Sequence, residues 1–244
     1  MESRPDLTLE EQITAALDWW RDAGVDHDYA EEPQRQLSDP AEEEAARSQP
    51  APLARPVEEV PKVKLGGEET SWPTSLEAFQ QWWTSETSLD DAPVGSRVAP
   101  RGNKHADLMV IVPMPELDDR DTLLSGNQGV MVGNMLRAMG IAPEKSYLAS
   151  ALPRHMPAAD WKGLAESGLG AVLLHHLELA APKRLLVLGR DILPLIGLVR
   201  SQTPQQLQAG GASIQALASF APEGLLQNAR LRADLWRRWL DWTG

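Results

Sequence analysis

The apolar positions along this chain follow two rhythms. Leu9, Ile13, Ala16 or Leu17, and Trp20 recur at helical spacing, Thr8-Leu9-Glu10-Glu11 fits a capping box, and Gly24 supplies a stop, so a helix is predicted from about Leu9 to Asp22. Ser75 caps a second helix from Leu76 to Trp83, which ends, like the first, in a Trp pair. The rhythm then changes. Ala106 to Val112 is almost continuously apolar and closed by Pro113, the pattern of a strand buried on both faces. A helix from about Gln128 to Met139 follows, with Met131, Met135, Leu136 and Met139 on one side and Gly140 as its stop; the Met stripe reads as core filling.

Further on, Tyr147 to Leu152 reads as a strand, Pro157 to Ala181 as a long helix weakened by Gly163, Gly168 and Gly170, and Arg184 to Gly189 as another buried strand. Asp191 to Leu198 is predicted as a short helix, Ser213 to Leu217 as a fourth strand, and Asn228 to Trp242 as a terminal helix. Strands alternating with helices predict a three-layer α/β/α domain around a mainly parallel four-stranded sheet. In such sheets ligands sit at the carboxyl ends of the strands, here the loops 113–126, 153–160, 189–191 and 218–228.

Composition narrows the chemistry. The 244 residues include no cysteine, which excludes a disulfide framework, a thiolate zinc site, a cysteine-ligated iron–sulfur cluster and a Cys nucleophile. No run approaches the ~18–20 apolar residues of a membrane span, and Met-Glu-Ser-Arg-Pro-Asp lacks the features of a signal peptide, so a cytoplasmic protein with no membrane partner is expected. The net charge of -12 is unevenly placed: residues 1–70 hold 18 acidic against 7 basic side chains, and residues 71–244 hold 17 against 16. Seven of the 19 prolines also fall in that leader. Three regions are therefore predicted: an N-terminal helical motif at 1–30, an acidic, Pro-rich disordered linker at 31–70 and a folded domain at 71–244. The stripe of the first helix cannot be buried by that helix alone. Either it packs back on the domain or it docks on a protein partner.

At the strand ends the sequence resembles a known family. Leu108 to Glu116, then Gly126-Asn127-Gln128-Gly129 leading to Met135-Leu136-Arg137-Ala138-Met139-Gly140-Ile141, is similar to the opening of bacterial uracil-DNA glycosylases of the iron–sulfur, thermophile-type branch. Tyr147 to Pro153 resembles their second strand and loop, Glu178 to Gly189 their third strand, and Pro222, Leu225-Leu226, Leu231 and Trp236 their His-Pro-x-x-Leu-Leu loop and final helix. The likeness covers roughly Leu108 to Leu240. It implies the glycosylase-like α/β/α fold, and for the parent activity a flipped-out uracil whose N-glycosidic bond is hydrolysed.

The departures fall on the chemistry. By the resemblance, Pro113 stands where the family has its catalytic carboxylate, and Ala221 where it has the His that faces the departing base. Leu124 replaces the aromatic residue that stacks on the base, Ser150 the Asn that reads its edge, and no cluster cysteine exists. Removing one well-placed electrostatic group typically costs ~10²–10³ in rate. A catalytically silent glycosylase-fold protein without cofactor or metal is therefore expected, acting as an accessory in DNA repair or replication. What the family uses on DNA is partly kept: Gly126 and Gly129 at a phosphate-cradling turn, Leu225 and Leu226 at the minor-groove wedge, with Arg230 and Arg232 beyond them. The same residues also read simply as a helix start, as core leucines and as a solvated helix face, so only weak DNA contact is expected.

A second, looser resemblance is to the psi subunit of bacterial DNA polymerase III, a glycosylase-like adaptor without catalytic residues. It rests on the terminal helix Asn228 to Trp236 and on the plan of a tethered N-terminal helix, here Leu9 to Trp20. The enzymatic alternative is an active uracil-DNA glycosylase with relocated groups, for which Glu116 or Asp118 with His155 are the candidates. His175-His176 followed by Glu178 lacks metal-ligand spacing, so no metal site is expected.

Overall fold

The computed structural model describes residues 8–22, 64–90 and 96–244, and for Gln12 and Arg21 the backbone alone. The chain divides into two units, residues 1–58 and 59–244. In the first, α1 (Leu9–Asp22) forms as its pattern dictates. The capping box closes: the Thr8 N–H donates to Glu11 Oε2 at 2.8 Å and the Glu11 N–H to Thr8 Oγ1 at 3.4 Å. Its apolar residues Leu9, Ile13, Leu17, Trp19 and Trp20 are all exposed. Most of the predicted linker, up to residue 63, lies outside the described residues.

The second unit starts earlier than the sequence implied. Residues 64–70, expected in the linker, join the fold: the Leu65 N–H donates to Ser167 O at 2.8 Å, and the Trp72 indole N–H donates to Gly66 O at 2.7 Å. The pattern there is too short for periodicity to register. Helix α2 (Leu76–Ser85) follows, with Ser75 Oγ accepting from the Ala78 N–H at 3.2 Å.

A mixed, mostly parallel sheet organises the rest. Its strands are β1 (Arg101–Gly102), β2 (Leu108–Val112), β3 (Ser146–Ser150), β4 (Arg184–Leu188), β5 (Gln205–Ala209) and β6 (Ala212–Ser219), in the order β1-β3-β2-β4-β6-β5. The four inner strands are parallel and are the four that the sequence predicts. The two edges are antiparallel additions, so the four-stranded expectation is corrected to six. β1 has two residues and carries no pattern. β5 carries glutamine at positions 205, 206 and 208, and a two-residue turn at Gly210-Gly211, both at positive φ, folds it onto β6.

Between the strands lie α3 (Asn127–Ala138), α4 (Trp161–Glu166) and α5 (Leu169–Ala180), and after β6 come α6 (Pro222–Gln227) and α7 (Ala229–Thr243). The helix expected from Pro157 to Ala181 is two helices, broken where Gly168 takes φ of +96°. The helix expected from Asp191 to Leu198 is only a 3-10 turn, Pro194–Ile196. Pro194 has no N–H to donate and its ring blocks the preceding turn. α6 falls in what reads as a loop, because its six residues are too few to show a stripe.

Alternation along the strands produces two cores. Met109, Ile111, Tyr147, Ala149, Leu185 and Val187 face α2 and α5 in one cluster. Leu108, Val110, Val112, Leu148, Leu186 and Leu188 face α3, α6 and α7 in the other. Every residue of β2 is consequently buried, which explains its unbroken apolar run.

One polar group sits in the first core. His176 on α5 is 1% exposed, its ring stacks 4.3 Å from Phe79, and its Nε2 lies 2.8 Å from the Tyr147 hydroxyl. Nδ1 has no partner. Burial, with a smaller contribution from His175, lowers its pKa to about 3, so the ring is neutral in the fold. Because that value lies below the ~6.5 of an unfolded histidine, the stabilising contribution is complete above pH 6.5 and is lost as pH falls towards 3. Urea unfolding should therefore show about 2 kcal/mol less stability at pH 5 than at pH 7 from this group, at about 1.4 kcal/mol per pH unit. His176→Gln should remove that difference; a variant with the same acid sensitivity above pH 4.5 would show that His176 is not its source.

Candidate functional site

The loops that leave β2, β3, β4 and β6 converge at the carboxyl edge of the sheet. Gly189, after β4, comes so close to the β2 loop that a Cβ there would lie 2.6 Å from Pro113 Cγ. The cavity between these loops holds about 300 Å³ and is lined by Pro113, His155, Trp161, Asp191, Ala221 and Glu223, among others. The structure thus brings Pro113, Ala221 and His155 together, as their positions predict. Asp191, Glu223 and Trp161 were not singled out from the sequence; only the strand-end rule marks the first two, which lie in or near predicted loops.

His155 is half-buried, with Nδ1 2.9 Å from Pro115 O. A carbonyl only accepts, so Nδ1 carries a proton in this contact and Nε2 is the ring nitrogen left to face other groups. Leu124 and Ser150 are elsewhere. Leu124 is buried in the second core, and Ser150 donates its hydroxyl to Leu152 O at 2.7 Å. Neither lines the cavity as the base-pocket reading expects.

The acidic loop after β2 is consumed by the backbone. Glu116 places its carboxylate at the start of α3, where it accepts from the N–H groups of Gly126 at 3.0 Å, Gln128 at 2.9 Å and Gly129 at 2.9 Å. These donors have no partner within the helix, and an anion there also meets the positive end of the helix dipole. The turn read as a phosphate cradle is thus filled from within. Its glycines follow from that packing: a Cβ on Gly126 would lie 2.8 Å from Glu116 Oε2, and one on Gly129 would lie 1.8 Å from Leu124 O.

Asp119 does the same for the loop, accepting from the N–H groups of Glu116, Leu124 and Ser125 and from the Ser125 hydroxyl. Burial pushes its pKa up, but those hydrogen bonds outweigh it and hold the carboxyl below its ordinary value. Asp118 is exposed. Of the acidic candidates for relocated catalysis, then, Glu116 is engaged as a helix cap and Asp118 does not line the strand-end cavity.

The wedge leucines separate. Leu225 is fully buried in the second core, whereas Leu226 is 37% exposed. Arg232 donates to the carbonyls of Leu225 and Leu226 and so ties down the end of α6; Arg230 is exposed. Leu226 lines a larger apolar groove of about 650 Å³ between α3 and α7, together with Met131, Met135, Met139, Leu235 and Trp236. The Met stripe therefore packs against the core and also borders an open groove, more than the core filling expected from sequence.

Among the described residues, no group of three or more His, Asp or Glu side chains is arranged to hold a metal ion, and no helix is long and apolar enough to cross a membrane. No family model and no curated protein matches the chain. The Glu116 cap gives a direct expectation. Glu116→Ala leaves three α3 donors without their acceptor and should cost about 1–2 kcal/mol, a Tm lower by about 2–8 °C, while Asp118→Ala changes Tm little. Equal melting of the wild-type and Glu116→Ala proteins would refute the cap.

Proposed function

We propose that this chain is a catalytically silent protein of the uracil-DNA glycosylase-like fold that acts as an adaptor in DNA repair or replication, with α1 as its partner-binding element and at most weak contact with DNA. The observation that carries this reading is the exposed stripe of α1. Leu9, Ile13, Leu17 and Trp20 fall within roughly 80° of one another around the helix, and they are 74%, 53%, 56% and 50% exposed. Glu11, Asp18 and Asp22 occupy the other side, and Glu10 borders the stripe. An amphipathic helix of this kind fits an apolar groove flanked by Lys and Arg on a protein partner.

The strand-end cavity supports a non-hydrolytic role. Pro113 and Ala221 bring neither a base nor a hydrogen-bond donor to it, and Glu116 is held by α3. For DNA contact, the N–H groups of the Gly126–Gly129 turn would first have to lose Glu116. The alternative, an active uracil-DNA glycosylase, draws on one arrangement: His155, its Nδ1 held by Pro115 O, shares the cavity with Asp191 and Glu223.

Two experiments separate the readings. Pull-downs with the full chain and with an Ile13→Asp/Leu17→Asp variant should recover a partner only with the former; the same proteins in both, or none in either, would sink the adaptor reading. Uracil-containing DNA incubated with the protein and then treated with alkali should remain intact. Strand scission that disappears in His155→Ala would establish the enzyme instead.

A further inference from the structure

A second, smaller cavity of about 140 Å³ opens at the carboxyl ends of β4 and β6. Arg190 follows directly on the β4 loop, Ser219 ends β6 in register with Leu188, Arg200 comes from the segment before β5, and Arg238 and Asp234 come from α7. The charges do not balance. Three guanidinium groups line the cavity against one carboxylate, and Asp234 is shared, 3.2 Å from Arg238 Nε and 3.5 Å from Arg237 Nη2. Among the described residues the guanidinium groups of Arg190 and Arg200 have neither a hydrogen bond nor an ion pair; that of Arg190 lies 3.4 Å above the centre of the Phe220 ring.

Arg238 is fixed by donating to Ser201 O at 3.2 Å and to Ala218 O at 2.9 Å. Burial lowers its proton affinity, Asp234 opposes that fall, and the charge of Arg190 adds to it. Like charges are therefore already crowded here, and an anion would relieve them.

The second observation is independent of charge. Ser219 is 3% exposed, lines this cavity, and among the described residues its hydroxyl has no hydrogen-bond partner. Buried hydroxyls in folded proteins are nearly always paired, and an unpaired one lowers stability. A hydroxyl left without a partner beside three arginines has the position of a donor awaiting an acceptor that the described residues do not provide.

We propose that this cavity binds one phosphate dianion, held by Arg190, Arg200 and Arg238, with the Ser219 hydroxyl donating to one of its oxygens. Guanidinium forks match phosphate oxygens in pairs, which a chloride ion cannot exploit. The volume equals four to five waters at about 30 Å³ each, enough for one phosphate group, so any organic part attached to it stays outside. The site stands on the second unit alone and is independent of the adaptor reading.

Isothermal titration of the full chain at pH 8 and low ionic strength, with inorganic phosphate and with methyl phosphate, tests the proposal. Saturable 1:1 binding of inorganic phosphate is expected, weakened at least tenfold in Ser219→Ala and in Arg200→Ala. Thermal melting supplies the readout that separates a binding role from a structural one. Ser219→Ala should melt at the wild-type temperature or above it, because it removes an unpaired buried hydroxyl. Methyl phosphate bound as tightly as inorganic phosphate marks a phosphorylated ligand; binding of inorganic phosphate alone marks the free ion. No phosphate binding by the wild type, or binding unchanged in both variants, would overturn the site.

Discussion

Burial of β2 on both faces is the constraint from which the second unit follows. A strand with no wet side needs a strand along each edge and a helical layer over each face, and β3, β4, α2, α5, α3 and α7 provide these. Because side chains alternate, Met109 and Ile111 draw one layer and Leu108, Val110 and Val112 the other. Parallel pairing with both neighbours then sends the loops after β2, β3 and β4 to the same edge. That edge is where chemistry would be placed.

At that edge the protein uses its acids to build loops. Glu116 and Asp119 are short of water but rich in backbone donors, and their hydrogen bonds define how the β2 loop enters α3. A carboxylate that accepts three N–H groups is a poor candidate to orient water, because its lone pairs are already aimed. The cavity beside it keeps one titratable ring, His155, and two carboxylates, with Pro113 and Ala221 completing its wall. A short way along the same edge the balance reverses, with three arginines gathered around an unpaired hydroxyl. Glu116 and Asp119 are thus satisfied by backbone donors, while the guanidinium groups of Arg190 and Arg200 have no hydrogen bond or ion pair among the described residues.

Much of this was legible in the sequence, and the limits follow from length. The four inner strands and helices α1, α2, α3 and α7 carry enough apolar repeats to be read, and Thr8, Ser75 and Gly140 mark boundaries by their side-chain or backbone chemistry. β1, with two residues, and α6, with fewer than two helical turns, offer too few positions for a period to be recognised. The β5–β6 hairpin did leave a signal, since Gly210-Gly211 is a hairpin turn pair, but the glutamines of β5 hid the strand beside it. For the strand-end cavity, the sequence pointed to the loops that line it and to Pro113, Ala221 and His155 on its wall. It gave no sign that Glu116 turns towards α3, that Leu124 turns into the core, or that Ser150 is occupied by Leu152.

The sequence by itself determined the secondary structure of the long elements, the α/β class and the acidity of the leader, because periodicity, capping and composition act over neighbouring residues. The tertiary structure alone decided which polar groups are satisfied. Glu116 meets Gly129 across 13 positions, Tyr147 meets His176 across 29, and Arg238 meets Ala218 across 20. A hydrogen bond depends on distances of a few tenths of an ångström between groups that the fold brings together, and no local pattern encodes those distances.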